Sequence, residues 1–536
     1  MRGISDDLVQ DLIPSGSASS ETVKFYKPPR ISLVDVKEGI DNSIRRGMSP
    51  IEQETRLVEV YPWGIEQGTV QFFVEIPAEA PVPHFPQQRL SFFNRNPPNA
   101  PSSEALLKNY SAAQQNEETA IVCGRGGESS VPASLYSDIL SEFRQNLSSI
   151  TPTPDDILCF RSLRANLTQI FAKEECRKAK FMEILEKYAV VPSSFSPDLI
   201  SGTSYRTDVD LRVSFGEFTF LYLISEIKNE VSTTQVEPLI EGSRFWLEQI
   251  RTCLKSDNTL AYFNPVNFPV IILLQYGPYL SLAVGIYIDK PIVEYLTCIP
   301  MHVHSSNEGT LEAGERAIAS PRLALPKLHN SYSSIMTDAS KPQAEFLFRN
   351  FFEAEGIRRS FVYDSTIEDK RLFHAHLDDD TRVCVKFSRH YSEAAHRAAA
   401  ELGLALKLYA VNEVYGWFMI VMEDVSEDYQ TLWDLKALGK GYSIDDIRRL
   451  MLDKLSALHN RQFVHGDVRD VNILVRKDGA AGEGPVIMLV DWDWAGVVGK
   501  ARYPHSMSSA SIRRPNEAVV GGLIAAQHDM DMVVFL

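Results

Sequence analysis

The chain has 536 residues, 44% hydrophobic and 23% charged, a composition suited to about three soluble domains with separate cores. Its net charge of −16 leaves no broad basic surface to attract nucleic acid or an anionic membrane. The six cysteines (Cys123, Cys159, Cys176, Cys253, Cys298 and Cys384) lie far apart without a CxxC pair, which argues against a zinc knuckle or a disulfide framework and for a reducing compartment.

The opening "MRGISDDLVQDLIPSGSASS" has no basic segment followed by a long apolar run, so no signal peptide is expected. Pro and Ser cluster in "EIPAEAPVPHFPQQ" and "NRNPPNAPSS", and residues 1–145 read as irregular, with one strand predicted in "GTVQFFVEIP". A second region, 146–301, opens with helical spacing at Leu163, Leu167, Ile170 and Phe171, then at Phe181, Ile184 and Leu185. Strands follow in "DVDLRVSF" and "FTFLYLISEIKN". The apolar window "FPVIILLQYGPYLSLAVGIYIDKP" is broken by Gln275-Tyr276-Gly277-Pro278, so it predicts two strands joined by a turn rather than a membrane span. With neither a leader nor a span, the expected location is intracellular, cytoplasm or nucleus. Residues 302–345, rich in Ser, Ala, Pro and charge, read as a linker, and His302 and His304 within it lack a third metal ligand.

The last domain, 346–536, carries the densest chemistry. In "TRVCVKFSR", Val383, Val385 and Phe387 alternate as on a strand, with Lys386 on the opposite face. "YSEAAHRAAAELGLALKLYA" predicts a helix offering Glu393, with Glu401 as the alternative, to pair with that lysine. "WFMIVMEDV" reads as a strand entering a hinge, and "YSIDDIRRLMLDKLSALHNRQF" as an amphipathic helix capped by Ser443 with Asp446 in the capping-box position. Then come "FVHGDVRDVNILV", the polar hairpin "RKDGAAGEGP", the strand "VIMLV" and Asp491 in "DWDWAG". This order brings Asp467, Asn472 and Asp491 to one pole of a small sheet. Two carboxylates and an amide are all oxygen donors and suit octahedral Mg²⁺ carrying nucleotide phosphates.

These residues resemble the protein-kinase-like fold, in the form of fungal kinase-like proteins related to protein kinases and to aminoglycoside and choline phosphotransferases. "HGDVRDVN" is similar to the kinase catalytic loop, "VCVK" to the lysine strand, "VMEDV" to the hinge, and "DWDWAG" stands where DFG stands. The resemblance implies ATP and Mg²⁺ as cofactors, Asp467 as catalytic base, and Asn472 and Asp491 as metal ligands. It also implies that Lys386 anchors phosphates with Glu393 as partner, that Glu423 and Val425 present backbone groups to adenine, and that Arg469 lies near the γ-phosphate. Asp467 is expected to face the cleft unpaired, His465 to bond backbone near Asp491, and Asp529 in "QHDMDMVVFL" to support the loop from the last helix of a truncated C-terminal lobe. "DSTIEDKRLFHAHL" departs from the family in having no glycine, and Gly466 replaces the arginine common in protein kinases.

In the middle region, Glu226 and Lys228 of "LISEIKNE" share a strand face, and Asp210 on the preceding strand completes a set that would bind Mg²⁺ beside an amine. It resembles the PD-(D/E)xK restriction-endonuclease core, similar to the form in Crinkler-type proteins that join such a domain to a kinase-like one. Residues 198–294 nevertheless carry a net charge of −5 (five Asp and seven Glu against four Arg and three Lys), the wrong sign for a nucleic-acid-cleaving surface.

The expectation is a multidomain α+β protein: a mixed α/β nuclease-like middle domain, degenerate in activity, joined to a two-lobed kinase-like phosphotransferase acting on a protein or small-molecule hydroxyl. The alternatives are a pseudokinase scaffold with an inactive nuclease fold, and a metal-dependent nucleic-acid-cleaving effector.

Overall fold

A computed structural model describes residues 24–26, 73–75 and 85–536, except 126–130, 216–217, 232–234, 255–262, 264–265, 335–343, 368–370, 439–442, 478–484 and 508–511. The chain divides into two compact units, 1–87 and 88–536. In the first, β1 (Lys24–Tyr26) pairs antiparallel with β2 (Phe73–Glu75), which lies in the stretch expected to be a strand.

The second unit is mixed α/β. It takes up helix α1 (Phe85–Arg95) from Gln88 onward, well before the boundary expected at residue 146. Arg89 explains why: its guanidinium is 1% exposed and donates to the carbonyls of Phe263, Val266, Tyr287 and Ile288. Buried Phe92 and Phe93 pack beside Tyr287. Flanking prolines disguised this helix as irregular chain.

Beyond two short helices at Pro101–Glu104 and Leu107–Gln114 come α2 (Asp138–Ser149), α3 (Pro154–Leu167) and α4 (Glu174–Lys187). Leu163, Leu167, Phe181, Ile184 and Leu185 are buried as the spacing predicts, whereas Ile170 falls between helices and is exposed. Strands β3 (Val209–Phe215) and β4 (Phe218–Lys228) then lead through α5 (Pro238–Cys253) to β5 (Val270–Tyr276), β6 (Tyr279–Tyr287) and β7 (Pro291–Pro300). They form one sheet in chain order, with only β4 and β5 parallel, as a helical crossover requires. The apolar window is the β5–β6 hairpin, its turn made by Gly277 (φ +51) and Pro278. Among the described residues no helix is long and apolar enough to cross a membrane.

The expected linker is instead largely α6 (Glu308–Ser333), a 26-residue helix. Its Arg322 holds buried Asp156 of α3 through two bonds of 2.8 and 2.9 Å, and Asp156 also closes the capping box with Thr153. Gly314 lies so close to Phe160 that a Cβ would fall 1.9 Å from the ring. Pro321 and Pro326 inside the helix misled the reading, since each removes an N–H yet tertiary packing of Ile318, Leu325 and Leu328 holds the turn.

Next comes a six-stranded sheet made by β8 (Phe351–Ala354), β9 (Ile357–Ile367), β10 (Leu372–Leu377), β11 (Arg382–Ser388), β12 (Leu408–Val414) and β13 (Trp417–Glu423), in the order β12-β13-β11-β10-β9-β8. Helix α7 (Glu393–Glu401) interrupts it between β11 and β12. Val383, Val385 and Phe387 enter the core on one face, while Cys384, Ile420 and Met422 pack on the other, where Lys386 emerges. The C-terminal lobe holds β14 (Tyr429–Thr431), α8 (Leu432–Leu438), α9 (Ile444–Asn460), β15 (Phe463–Val464), β16 (Ile473–Arg476), β17 (Ile487–Leu489), β18 (Gly496–Val497) and α10 (Ala526–Val534). The stripe Ile447, Met451, Leu455 and Leu458 of α9 is fully buried against Ile473, Leu489 and Trp492. Ser443 stands at the N-cap but its side chain makes no cap bond, and Asp446 is engaged by Arg449. Most of the hairpin joining β16 and β17 lies outside the described residues.

Candidate functional site

The loop from β15 to β16 is held from beneath. Asp529 of α10, 0% exposed, accepts hydrogen bonds from the backbone N–H of His465 (2.8 Å) and Gly466 (2.7 Å), and from His459 Nε2 (3.1 Å). Gly466 has φ +85 and a Cβ there would lie 2.7 Å from Ile524 Cδ1, so both backbone and space select glycine. His465 is structural, as expected: Nε2 donates to the Val490 carbonyl at 3.1 Å, and Nδ1 accepts from the Asp467 N–H at 3.2 Å. Its ring meets Trp492 edge-on, 4.7 Å between centroids.

Asp467 departs from expectation. It is 3% exposed, with Arg514 Nη2 donating to Oδ1 (2.7 Å) and Arg469 Nη2 to Oδ2 (2.6 Å). Asn472 Nδ2 also donates to Oδ2 (2.9 Å) and to the Asp467 carbonyl (3.0 Å). A buried carboxylate attracts donors from any nearby segment, and Arg514 arrives from a stretch nearly fifty residues downstream ("RRP") that local sequence does not connect to it.

Lys386 also takes unexpected partners. Its ammonium bonds Asp491 Oδ1 (2.5 Å) and Asp493 Oδ1 (2.6 Å), and Ser388 Oγ donates to the other Asp493 oxygen (2.7 Å). Glu393 pairs with Arg397 one turn along α7 and Glu401 with Arg461, so neither meets the lysine. Glu393 sits in the first turn of α7, where i,i+4 pairing on an exposed face is the nearer option. Burial alone would depress the Lys386 ammonium, but Asp491 and Asp493 outweigh it and hold its pKa above the ordinary lysine value. Burial pushes the Asp493 carboxyl up, whereas at Asp491 the lysine overcomes burial and keeps the carboxyl below its usual range. Asp491 adopts φ +71, a left-handed conformation that costs a non-glycine residue energy and clusters at working sites.

Lys386, Glu423, Val425, Arg469, Asn472, Asp491 and Asp493 line one cleft of about 820 Å³, with Leu372, Cys384, Leu406, Met422 and Leu474 among its apolar walls. That size and mixture suit a nucleotide-sized ligand. The hinge is pinned by Asp424, 3% exposed at its side chain, which accepts from His374 (2.8 Å) and Arg382 (3.2 Å). The carbonyl of Val425 is occupied by the Asp428 and Tyr429 N–H groups, and among the described residues its own N–H has no backbone partner. The tip between β9 and β10, where phosphate cover would come from, lies at 368–370 outside the described residues.

For Mg²⁺, the fit is favourable. The Asn472 amide nitrogen is spent on Asp467, which leaves its carbonyl oxygen as a hard donor lining the same cleft as Asp491 and Asp493. Among the described residues no group of three or more His, Cys, Asp or Glu could hold a metal alone. Nucleotide-borne Mg²⁺ does not need one, since phosphates and waters supply the remaining ligands.

The middle sheet gathers a different set. Lys228 Nζ lies 2.8 Å from Glu241, 3.4 Å from Glu226 and 3.7 Å from Asp208. Glu226 and Lys228 converge as expected; Asp210 does not join them. Asp210 stands opposite Ile224 on β4, one step of the same face beyond Glu226, and Thr207 (2.5 Å) and Arg212 (2.8 Å) satisfy it. Asp208, two residues earlier in "TDVD", takes the place, its Oδ2 accepting from the Ile227 N–H (3.0 Å). Burial, then Asp208 and Glu241, push the Glu226 carboxyl well above the usual range, while Lys228 is raised because these carboxylates outweigh its burial. A carboxyl raised on folding contributes stability that is full below its unfolded pKa and lost as pH rises through the folded value. Glu226→Gln is therefore expected to gain on the parent as pH rises from 5 to 8, by about 2–4 °C in Tm per kcal/mol of relieved repulsion. Thermal unfolding at both pH values checks this; a pH-independent difference refutes it.

Sequence reasoning missed Asp208, Glu241, Asp493 and Arg514. The i, i+2 repeats "DVD" and "DWD" signalled the first and third, while Glu241 and Arg514 lie on remote elements that give no local sign. No family model matches the chain, and comparison with curated proteins found no match.

Proposed function

We propose that residues 346–536 form an ATP-dependent phosphotransferase of protein-kinase-like class, which passes the γ-phosphate to a hydroxyl acceptor. The observation that carries this is the meeting, in one cleft, of Lys386 from the sheet lobe with Asn472, Asp491 and Asp493 from the helical lobe, beneath a hinge at Glu423–Val425. The strand order, with a helix between the lysine strand and the next strand, supports the same reading. In this scheme the apolar walls take the base, and the Val425 N–H is the hinge donor. Lys386 turns from the two aspartates to the α/β-phosphates. Asn472, Asp491 and Asp493 would hold Mg²⁺, which neutralises charge on the β- and γ-phosphates. Arg469 approaches the γ-phosphate from the loop, and Asp467 takes the acceptor proton.

Mg-ATP at a hundredfold above Kd is expected to stabilise the full chain by about 2.7 kcal/mol, against a much smaller effect of ATP with EDTA. No stabilisation by any nucleotide refutes the reading. The grip of two arginines on Asp467 favours a second reading, a nucleotide-binding scaffold. Stabilisation by Mg-ATP without transfer to any hydroxyl, water included, would select it. The middle body we read as a nuclease-like fold without cleavage activity, on its acidic balance and its lysine held by three carboxylates.

A further inference from the structure

We infer that the acceptor is a small alcohol carrying an oxyanion, and that Arg514 leaves Asp467 for that oxyanion when the acceptor binds. The inference rests on the phosphotransferase reading. Arg514 has a side chain only 5% exposed, lies over the Trp494 ring at 4.8 Å, and spends a single N–H on Asp467. Its Nε and Nη1, and the Nε of Arg469, are buried without an acceptor among the described residues. Unmet buried donors are costly and rare, and three around one carboxylate mark a missing partner.

Charge says what the partner is. Two guanidinium groups share the single charge of Asp467. The neighbouring acids are committed: Asp470 to Lys436, Asp529 to the loop backbone, and Asp491 and Asp493 to Lys386. At Asp467 itself two guanidinium groups therefore meet one carboxylate, and their unused N–H groups present the fork geometry that fits phosphate or carboxylate oxygens. The nucleotide's phosphates answer Arg469 but not Arg514. Arg469 lines the nucleotide cleft and Arg514 does not, so Arg514 serves the other side of Asp467.

The exchange also resolves how Asp467 acts as a base when both its oxygens are occupied. Once the acceptor's oxyanion draws Arg514 away, Oδ1 is open to the acceptor hydroxyl. That hydroxyl's proton passes to Oδ1 as its oxygen bonds the γ-phosphorus, and the bond from the γ-phosphorus to the bridging oxygen breaks with its electrons leaving on ADP. An alcohol without an oxyanion leaves Arg514 in place and Asp467 closed.

Calorimetric titration of the full chain with inorganic phosphate, and separately with acetate, tests the site without requiring the acceptor. One of the two should bind at one equivalent, which tells phosphate from carboxylate. Arg514→Gln should weaken that binding about 10- to 100-fold, the loss of one charge-assisted hydrogen bond. Arg514→Lys, which keeps the charge over Trp494 but loses the fork, should fall between and guards against misfolding of the first variant. Arg449→Gln, at an exposed arginine of α9 that pairs with Asp446, should leave the anion affinity unchanged. If neither anion binds, or if Arg514→Gln binds as the parent does, the inference is overturned. Nucleotide binding, measured separately, depends on Lys386 and Asp491 and fails or holds independently of this result.

Discussion

Asp467→Asn is expected to keep Mg-ATP binding while phosphoryl transfer falls about 10²–10⁴-fold, the scale of losing a general base. The amide accepts no proton at neutral pH, yet Lys386, Asp491 and Asp493 are untouched and Asn472 keeps its bond to the backbone carbonyl of residue 467. Arg469 and Arg514 constrain how the measurement is made. The substitution removes the one negative charge they share, so the variant loses stability on its own account, and each protein's nucleotide response must be referred to its own ligand-free Tm. Asp491→Asn provides the contrast, because it removes an anion from Lys386 and from the oxygen set around the phosphates, and metal-dependent binding should go with it. A parent that transfers phosphate at a rate Asp467→Asn fully retains would show that Asp467 is not the base.

Asp529→Ala should cost about 2–6 kcal/mol of folding stability, because two buried backbone N–H groups, at His465 and Gly466, lose their acceptor at about 1–3 kcal/mol each. The side chain lies at the floor of the loop with no solvent to replace it. Asp529→Asn, retaining one carbonyl oxygen, should lose less. Denaturant unfolding followed by fluorescence gives the difference directly; a change under about 0.5 kcal/mol for Asp529→Ala would mean that the loop stands without it.

The parts legible in the sequence were those written in short range. Alternation at Val383, Val385 and Phe387 gave the lysine strand and the face on which Lys386 emerges, and the stripe Ile447, Leu450, Met451, Leu455 and Leu458 gave α9, Leu450 being only partly buried. Gly277-Pro278 gave the hairpin. His465 was readable because a histidine placed among apolar residues must find polar partners, whereas Asp529 was named only through the resemblance of its helix to the one that supports a kinase catalytic loop. What failed was long-range choice among equivalents. Nothing local tells whether Lys386 meets Glu393 or the pair Asp491 and Asp493, or whether Asp208 or Asp210 faces Glu226; strand register decides the second, and the relative placement of two lobes the first. Proline misled in the other direction, hiding α1 and α6, where burial overrides propensity.

The segment before α2 has a consequence for how this protein is divided. Val131 and Leu135 sit inside the hydrophobic core of the six-stranded sheet, beside Phe352, Phe373 and Trp417, though they precede that sheet by more than two hundred residues. Arg144 of α2 bonds Glu294 of the middle sheet at 2.9 Å while lying over the Trp417 ring of β13 at 5.7 Å. The two bodies are therefore dovetailed rather than strung like beads: the six-stranded sheet borrows a piece of its wall from chain that precedes the middle sheet. Such a joint resists module shuffling, because the lysine-bearing lobe cut out at residue 346 and grafted elsewhere would leave that plank behind.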